Sequence, residues 1–273
     1  MDFSFLLCAT FWEAVGSIAT AITLAFLVSQ NKIARKTYEY TSEWQEKNKA
    51  AELALYYKDN ILPKISYIDD VLENVGVNDL MKRVRHADID CFTNMELKQL
   101  TNDDIVAQIV NKLRNDPEKM VIIWANRQDD PIPLKAYLTA REKIENAQQM
   151  EDKDEKRRMI REANEEIGNV KNTILKYFFR ELGDLQNNLE YFAMHFTSGV
   201  ADSSVVFPSL HQTYLEIVKK LYWSISMKNI ESKDKYFTHI IQLYKEWIKQ
   251  DNINNKKVQD AANKSLTQKK IRK

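Results

Sequence analysis

Residues Phe3 to Ser29 contain a single charged side chain, Glu13, in a chain that is otherwise 29% charged. Within that run Ala14–Ser29 is sixteen residues without a charge. At about 1.5 Å per residue a helix of that length rises about 24 Å, against a hydrocarbon core of about 30 Å. Phe11 and Trp12 extend the run with rings suited to an interface, and Glu13 then falls near the outer boundary. The reading is one N-terminal membrane span. The anchor set is Phe11, Trp12, Gly16, Ser17, Ala21, Ala25 and Val28. A cleaved signal peptide would want a basic n-region, and no Lys or Arg precedes the run. A buried core helix is the other alternative.

Lys32, Arg35 and Lys36 follow directly, where they would meet anionic lipid. By the positive-inside rule they place the following domain in the cytoplasm and the N-terminus outside. Ser17, Ala21 and Ala25 repeat at i+4, with Gly16 and Thr20 beside them, a spacing that lets two membrane helices approach. Small residues are also simply common in such helices.

The remaining composition narrows the class. The formal net charge of the 273 residues is +1 and mean hydropathy is -0.49, which excludes a polytopic membrane protein. Five glycines and five prolines argue against a turn-rich all-β chain. Two cysteines cannot make a disulfide framework. Charge is uneven: residues 31–50 carry five basic and three acidic side chains, and 251–273 carry seven basic and two acidic. A mildly acidic body between basic ends suits an anionic leaflet.

The rest reads as helices, giving an all-α fold: a membrane anchor (1–30), a juxtamembrane helix and irregular helical region (31–130), an antiparallel bundle core (131–250) and a basic tail (251–273) that is disordered or a weak helix. The juxtamembrane helix is expected to end before Pro63, and a second to run from Lys64 to Glu73 with Gly76 as its stop. Thr93 opens a short helix, and Thr101 with Asp104 resembles a capping box ahead of Ile105. Met120–Trp124 fits a strand or a helix, and with no partner strand the helix is preferred. Pro133 sits in a first turn, and helices follow at about 134–150 and 155–197. The second is the clearest: Ile160, Ala163, Ile167, Val170, Ile174, Phe178, Leu182, Leu185, Leu189, Phe192 and Phe196 are spaced by threes and fours. Gly199 ends it, Asp202 starts the next, and Ser232 caps the last. Short connections then imply antiparallel packing.

Trp12–Thr20 running on to Gln30 and Arg35–Lys36, together with Leu189–Ala193 and Gly199–Asp202, resemble an uncharacterised family of small bacterial membrane proteins, a domain of unknown function. The likeness touches about a quarter of the chain. It implies one span, a cytoplasmic helical domain in the bacterial inner membrane, and no assigned activity. Proteins of this kind look similar to effectors of bacterial antiphage systems.

Chemistry is sparse. No two histidines sit at i, i+4, and no Gly-rich phosphate loop can be drawn, so no metal or cofactor is expected. His86, Asp88 and Asp90 alternate and would share a face in a strand, where they could hold a cation; a polar loop before Cys91 is the simpler reading. Glu190, His195 and Asp202 near the Gly199 turn form a possible polar site, with helix-end hydrogen bonds as the alternative. Lys256, Lys257, Lys269, Lys270, Arg272 and Lys273 read first as a charged tail that aids solubility, then as a patch for anionic lipid and, less favoured, for nucleic acid. Expected partners are the bilayer and a protein, including a second copy. The leading function is a membrane-anchored scaffold or effector; the alternative is a tethered enzyme acting on nucleic acid or a phosphorylated substrate.

Overall fold

Pro63 has no N–H and its ring crowds the carbonyl four residues back, so an α-helix crossing it must break or change its ladder. This chain changes the ladder. In the computed structural model, helix α1 (Ala9–Tyr56) passes into a π turn (Tyr57–Ile61) and then into α2 (Leu62–Asn74) without a loop. The N–H of Leu62 reaches the carbonyl of Tyr57, five residues back. Pro63 thereby sits in the first turn of α2, where no N–H is needed. α1 thus ends before Pro63, as expected, at Tyr56, but the chain runs on through the π turn with no loop. Gly76, at φ +73°, does stop α2.

The structure describes residues 9–115, 117–128, 132–229 and 235–271. The side chains of 9–22, Ala25, 117–118, 127–128 and 262–271 lie outside that description. The further helices are α3 (Val77–Met81), α4 (Asn94–Thr101), α5 (Ile105–Asn115), α6 (Pro117–Gln128), α7 (Ile132–Gln148), α8 (Lys153–Thr197), α9 (Ser203–Lys228) and α10 (Thr238–Ile271). No strand occurs among the described residues, so Met120–Trp124 is helical, in α6.

Local chemistry explains most boundaries. The Thr93 hydroxyl accepts from the Glu96 N–H, opening α4. Asp104 alone caps α5, accepting from the Ala107 N–H. Thr101 instead bonds back to the Leu97 carbonyl at the end of α4, which corrects the expected capping box. Asp152 caps α8 and Asp202 caps α9. Gly199, at φ +73°, closes α8 in the left-handed region that disfavours a Cβ. The expected cap Ser232 lies outside the described residues. α10 is helical through Ile271, across the segment for which the sequence left disorder or a weak helix open.

α8 organises the body. From Ile174 to Phe196 its stripe is buried, with Phe178, Leu185, Leu189 and Phe192 fully so. Each such side chain contributes roughly 1.5–3 kcal/mol relative to exposure. α8 packs antiparallel to the end of α1, the π turn and α2: Tyr56 bonds Asn188, the Tyr57 ring meets Phe192 tilted at 5.0 Å, Lys64 pairs with Glu181 at 2.7 Å, and Tyr67 meets Tyr177. α9 and α10 close the far side, where Tyr214 and Phe207 hold Trp247 at 5.0 and 5.7 Å. One hydrophobic cluster runs from Ala50 to Trp247 and draws on both sides of residue 130.

α1 stands apart from that cluster. Ala50 is the first buried residue among its described side chains, and every described side chain from Thr23 to Thr41 is exposed. Among the described residues no helix is long and apolar enough to cross a membrane. The expected span, Ala14–Ser29, lies largely in the part of α1 whose side chains are outside the description.

Candidate functional site

The first candidate is the free part of α1. From Ala9 to Thr41, ahead of the Asp202–Glu46 bond, it is about 50 Å of helix. Leu24, Phe26, Leu27 and Val28 are 58%, 60%, 53% and 69% exposed. At 100° per residue these four spread over an arc of about 200°, wider than the stripe a surface helix usually turns to a core. Lys32, Arg35 and Lys36 follow in exposed positions, with Arg35 paired to Glu39 at 3.3 Å. Ile33, Tyr38, Tyr40 and Trp44 are exposed above the body. Of the expected anchor residues, Val28 is thus on the free helix; Phe11, Trp12, Gly16, Ser17, Ala21 and Ala25 belong to its helical backbone, with side chains outside the description.

The polar residues near the Gly199 turn have separate tasks. Glu190 accepts from the N–H groups of His239 and Ile240, at 3.1 and 2.9 Å, and so caps α10 from α8. His195 bonds the Tyr191 carbonyl on its own helix and packs against the Tyr191 ring. Asp202 accepts from the Ser204 N–H. Each is a helix-end or helix-edge bond of the kind the sequence left as the alternative.

His86, Asp88 and Asp90 also part company. They lie on a short 3-10 turn and the loop after it, not on a strand. Asp88 takes both Arg85 nitrogens, Asp90 pairs with Lys245 at 2.6 Å, and His86 lies between Tyr244 and Glu216. Burial and the Asp90 carboxylate push the Cys91 thiol up, away from the thiolate form. Glu96 holds this loop: its carboxylate accepts from the N–H groups of Asp90, Cys91 and Phe92, each at 2.7 Å, and from the Tyr222 hydroxyl.

One feature has no motif in the sequence. A cleft of about 460 Å³ between the 3-10 turn, α9 and α10 is lined by His86, His211, Gln212, Glu216, Asp251 and Asn252, with Ile248 and Leu215. A carboxylate only accepts, so in the neutral ring His86 Nε2–H donates to Glu216 at 3.0 Å and Tyr244 donates to Nδ1 at 2.8 Å. His211 donates from Nδ1 to the Phe207 carbonyl at 2.6 Å and turns Nε2 toward Asp251 at 3.6 Å. The cleft therefore holds two histidine–carboxylate couples tying α9 to its neighbours. Among the described residues no group of three or more such side chains is placed to hold a metal ion.

The chain matches no family model, no curated protein and no solved structure.

Proposed function

We propose that the protein is a membrane-anchored helical scaffold or effector, with α1 as a single span and the helical body presented to a protein partner on the cytoplasmic side. The observation that carries this reading is the exposure of Leu24, Phe26, Leu27 and Val28 over about 200° of a helix that the body leaves uncovered at these positions. A helix apolar over so wide an arc needs an apolar surround, and a bilayer supplies one. The described residues of the run are too few to cross by themselves; Ala14–Ile22 supply the remaining length from the sequence. Against the buried-core alternative, the first core residue among those whose side chains are described is Ala50. The basic triplet Lys32, Arg35 and Lys36 orients the body toward the cytoplasm. The tethered-enzyme alternative is weakened, since His86, Asp88 and Asp90 are spent on three separate partners.

The test is alkaline carbonate extraction of membranes from cells making the full chain. The reading expects the protein to stay in the pellet through carbonate and high salt. Release into the supernatant by carbonate would overturn it. For the effector version, Ala21→Leu with Ala25→Leu should change the oligomeric mass in detergent; an unchanged mass removes anchor-driven assembly.

A further inference from the structure

α1 has two unlike faces where it joins the body. Ser42, Glu46, Lys49, Ala50 and Leu53 are buried or partly covered, and at 100° per residue they fill an arc of about 100°. Ile33, Tyr40, Trp44, Ala51 and Leu55 fall within an arc of about 60° on the opposite side of the axis. All five are exposed, Tyr40 by 74% and Trp44 by 65%. Ile33, Trp44 and Leu55 stand eleven residues apart, as do Tyr40 and Ala51. Eleven residues make about three full turns, so this apolar stripe holds one line along the helix. Thr37 and Thr41 leave a shallow groove beside Tyr40 and Trp44.

The stripe suits a second copy of this chain. It keeps roughly 500 Å² of largely apolar surface in water. Two copies would join about 1,000 Å², the size at which an interface lasts. Two anchors in one membrane make the two α1 helices parallel. Because the stripe lies opposite the covered face, a two-fold axis along it sets the bodies on opposite sides of the pair. Charge fits this register. Lys47 and Glu52 flank the stripe on opposite sides, five residues apart, so Lys47 of each helix meets Glu52 of the other. Both are exposed, and each pairs on its own helix, Lys47 with Glu43 at 2.6 Å and Glu52 with Lys49 at 2.8 Å, so the charges alternate across the seam. The same register sets Lys36 against Thr41 and Tyr40 against Gln45, so like charges do not meet.

We propose that two copies of the chain pair in parallel along this stripe of α1, between the membrane and the bodies. This rests on the reading of α1 as a span, which sets the two helices parallel. It differs from assembly through the anchor's small residues, because positions 21 and 25 fall about 90° or more from the centre of the stripe. A pair of bodies is then the unit that a protein partner meets.

The experiment is disulfide cross-linking of the full chain in vesicles. In a Cys8→Ser, Cys91→Ser background, Ala51→Cys lies on the stripe and Gln45→Cys about 110° from its centre. A disulfide needs Cα atoms about 4.4–6.8 Å apart. Mild oxidation should therefore join Ala51→Cys chains into a dimer and leave Gln45→Cys chains single. Adding Tyr40→Glu and Trp44→Glu should abolish the dimer and halve the mass in detergent, with the melting temperature kept because both side chains are exposed. The Ala51→Cys dimer should persist with Ala21→Leu and Ala25→Leu; its loss there would assign assembly to the anchor face and overturn the stripe. No dimer in protein that resists carbonate would overturn the pairing and leave the anchor standing. Equal cross-linking at 45 and 51, or capture of a different protein at 51 in place of a second copy, would overturn it as well. A dimer through 51 in protein that carbonate extracts would keep the pair and overturn the anchor.

Discussion

The backbone of Asp202 donates across to the carbonyl of Glu46, joining the first turn of α9 to the last part of α1 before the core. That bond marks where the helical body stops. Below it every described side chain from Thr23 to Thr41 is exposed; above it, α1 enters the core at Ala50. The function proposed for this chain depends on that boundary, because the body is complete without the segment that precedes it.

Helix ends should account for much of the body's stability. Glu190 satisfies two N–H groups of α10 from α8, and Asp202 satisfies one of α9. Glu190→Ala should cost about 1–3 kcal/mol and Asp202→Ala about 1 kcal/mol. Urea unfolding in detergent checks this, with the midpoint expected to fall at an unchanged slope.

Two buried tyrosines should respond oppositely to loss of the hydroxyl. The Tyr214 hydroxyl donates to the Ile240 carbonyl at 3.1 Å, whereas the Tyr57 hydroxyl has no partner among the described residues. Tyr214→Phe should destabilise by about 1 kcal/mol, and Tyr57→Phe should be neutral or stabilising. Thermal melts of the two variants side by side distinguish them.

Alkaline pH should unfold the body. Burial pushes the hydroxyls of Tyr57, Tyr67, Tyr214 and Tyr244 up, and burial together with the Glu96 carboxylate does so for Tyr222. Unfolded tyrosine loses its proton near pH 10. Above that pH the unfolded chain binds fewer protons than the folded one, so stability falls as pH rises. The stabilisation is fully present below pH of about 10 and is lost above it. Tyrosinate absorbance should appear together with the loss of helical circular dichroism. Absorbance rising well before unfolding would contradict the burial.

Charge placed on the free helix should detach it. Leu24→Arg and Leu27→Arg each add roughly 2.5–3.5 kcal/mol to insertion near a helix centre. The double variant should move to the carbonate supernatant while the body's melting temperature is retained, since neither residue touches the core.

How far the sequence is legible depends on where its information sits. The α8 stripe is local: eleven apolar residues recur at three and four, and all seven from Ile174 to Phe196, with Ala163, are buried as that period requires. The caps at Thr93, Asp152 and Asp202 are likewise local, each with a partner within three residues. The π turn was not legible, because Pro63 permits either a break or a change of ladder and only the packing of Tyr57 and Ile61 into the core selects the second. The role of Glu190 was hidden because its partners lie about fifty residues away. The cleft was hidden for the same reason: His86, His211, Glu216 and Asp251 come from three elements and share no spacing. The apolar run was visible, but that the body leaves it uncovered is a tertiary fact.

The most direct measurement places a spin label on each side of the boundary. In a chain with Cys8→Ser and Cys91→Ser, Phe26→Cys and Gln45→Cys are labelled separately, and the full protein is reconstituted into vesicles. Collision with oxygen and with a water-soluble nickel chelate is then read by electron paramagnetic resonance. The account predicts that the label at 26 meets oxygen and excludes nickel, while the label at 45 is open to nickel. Equal nickel access at both positions would contradict a membrane role for α1.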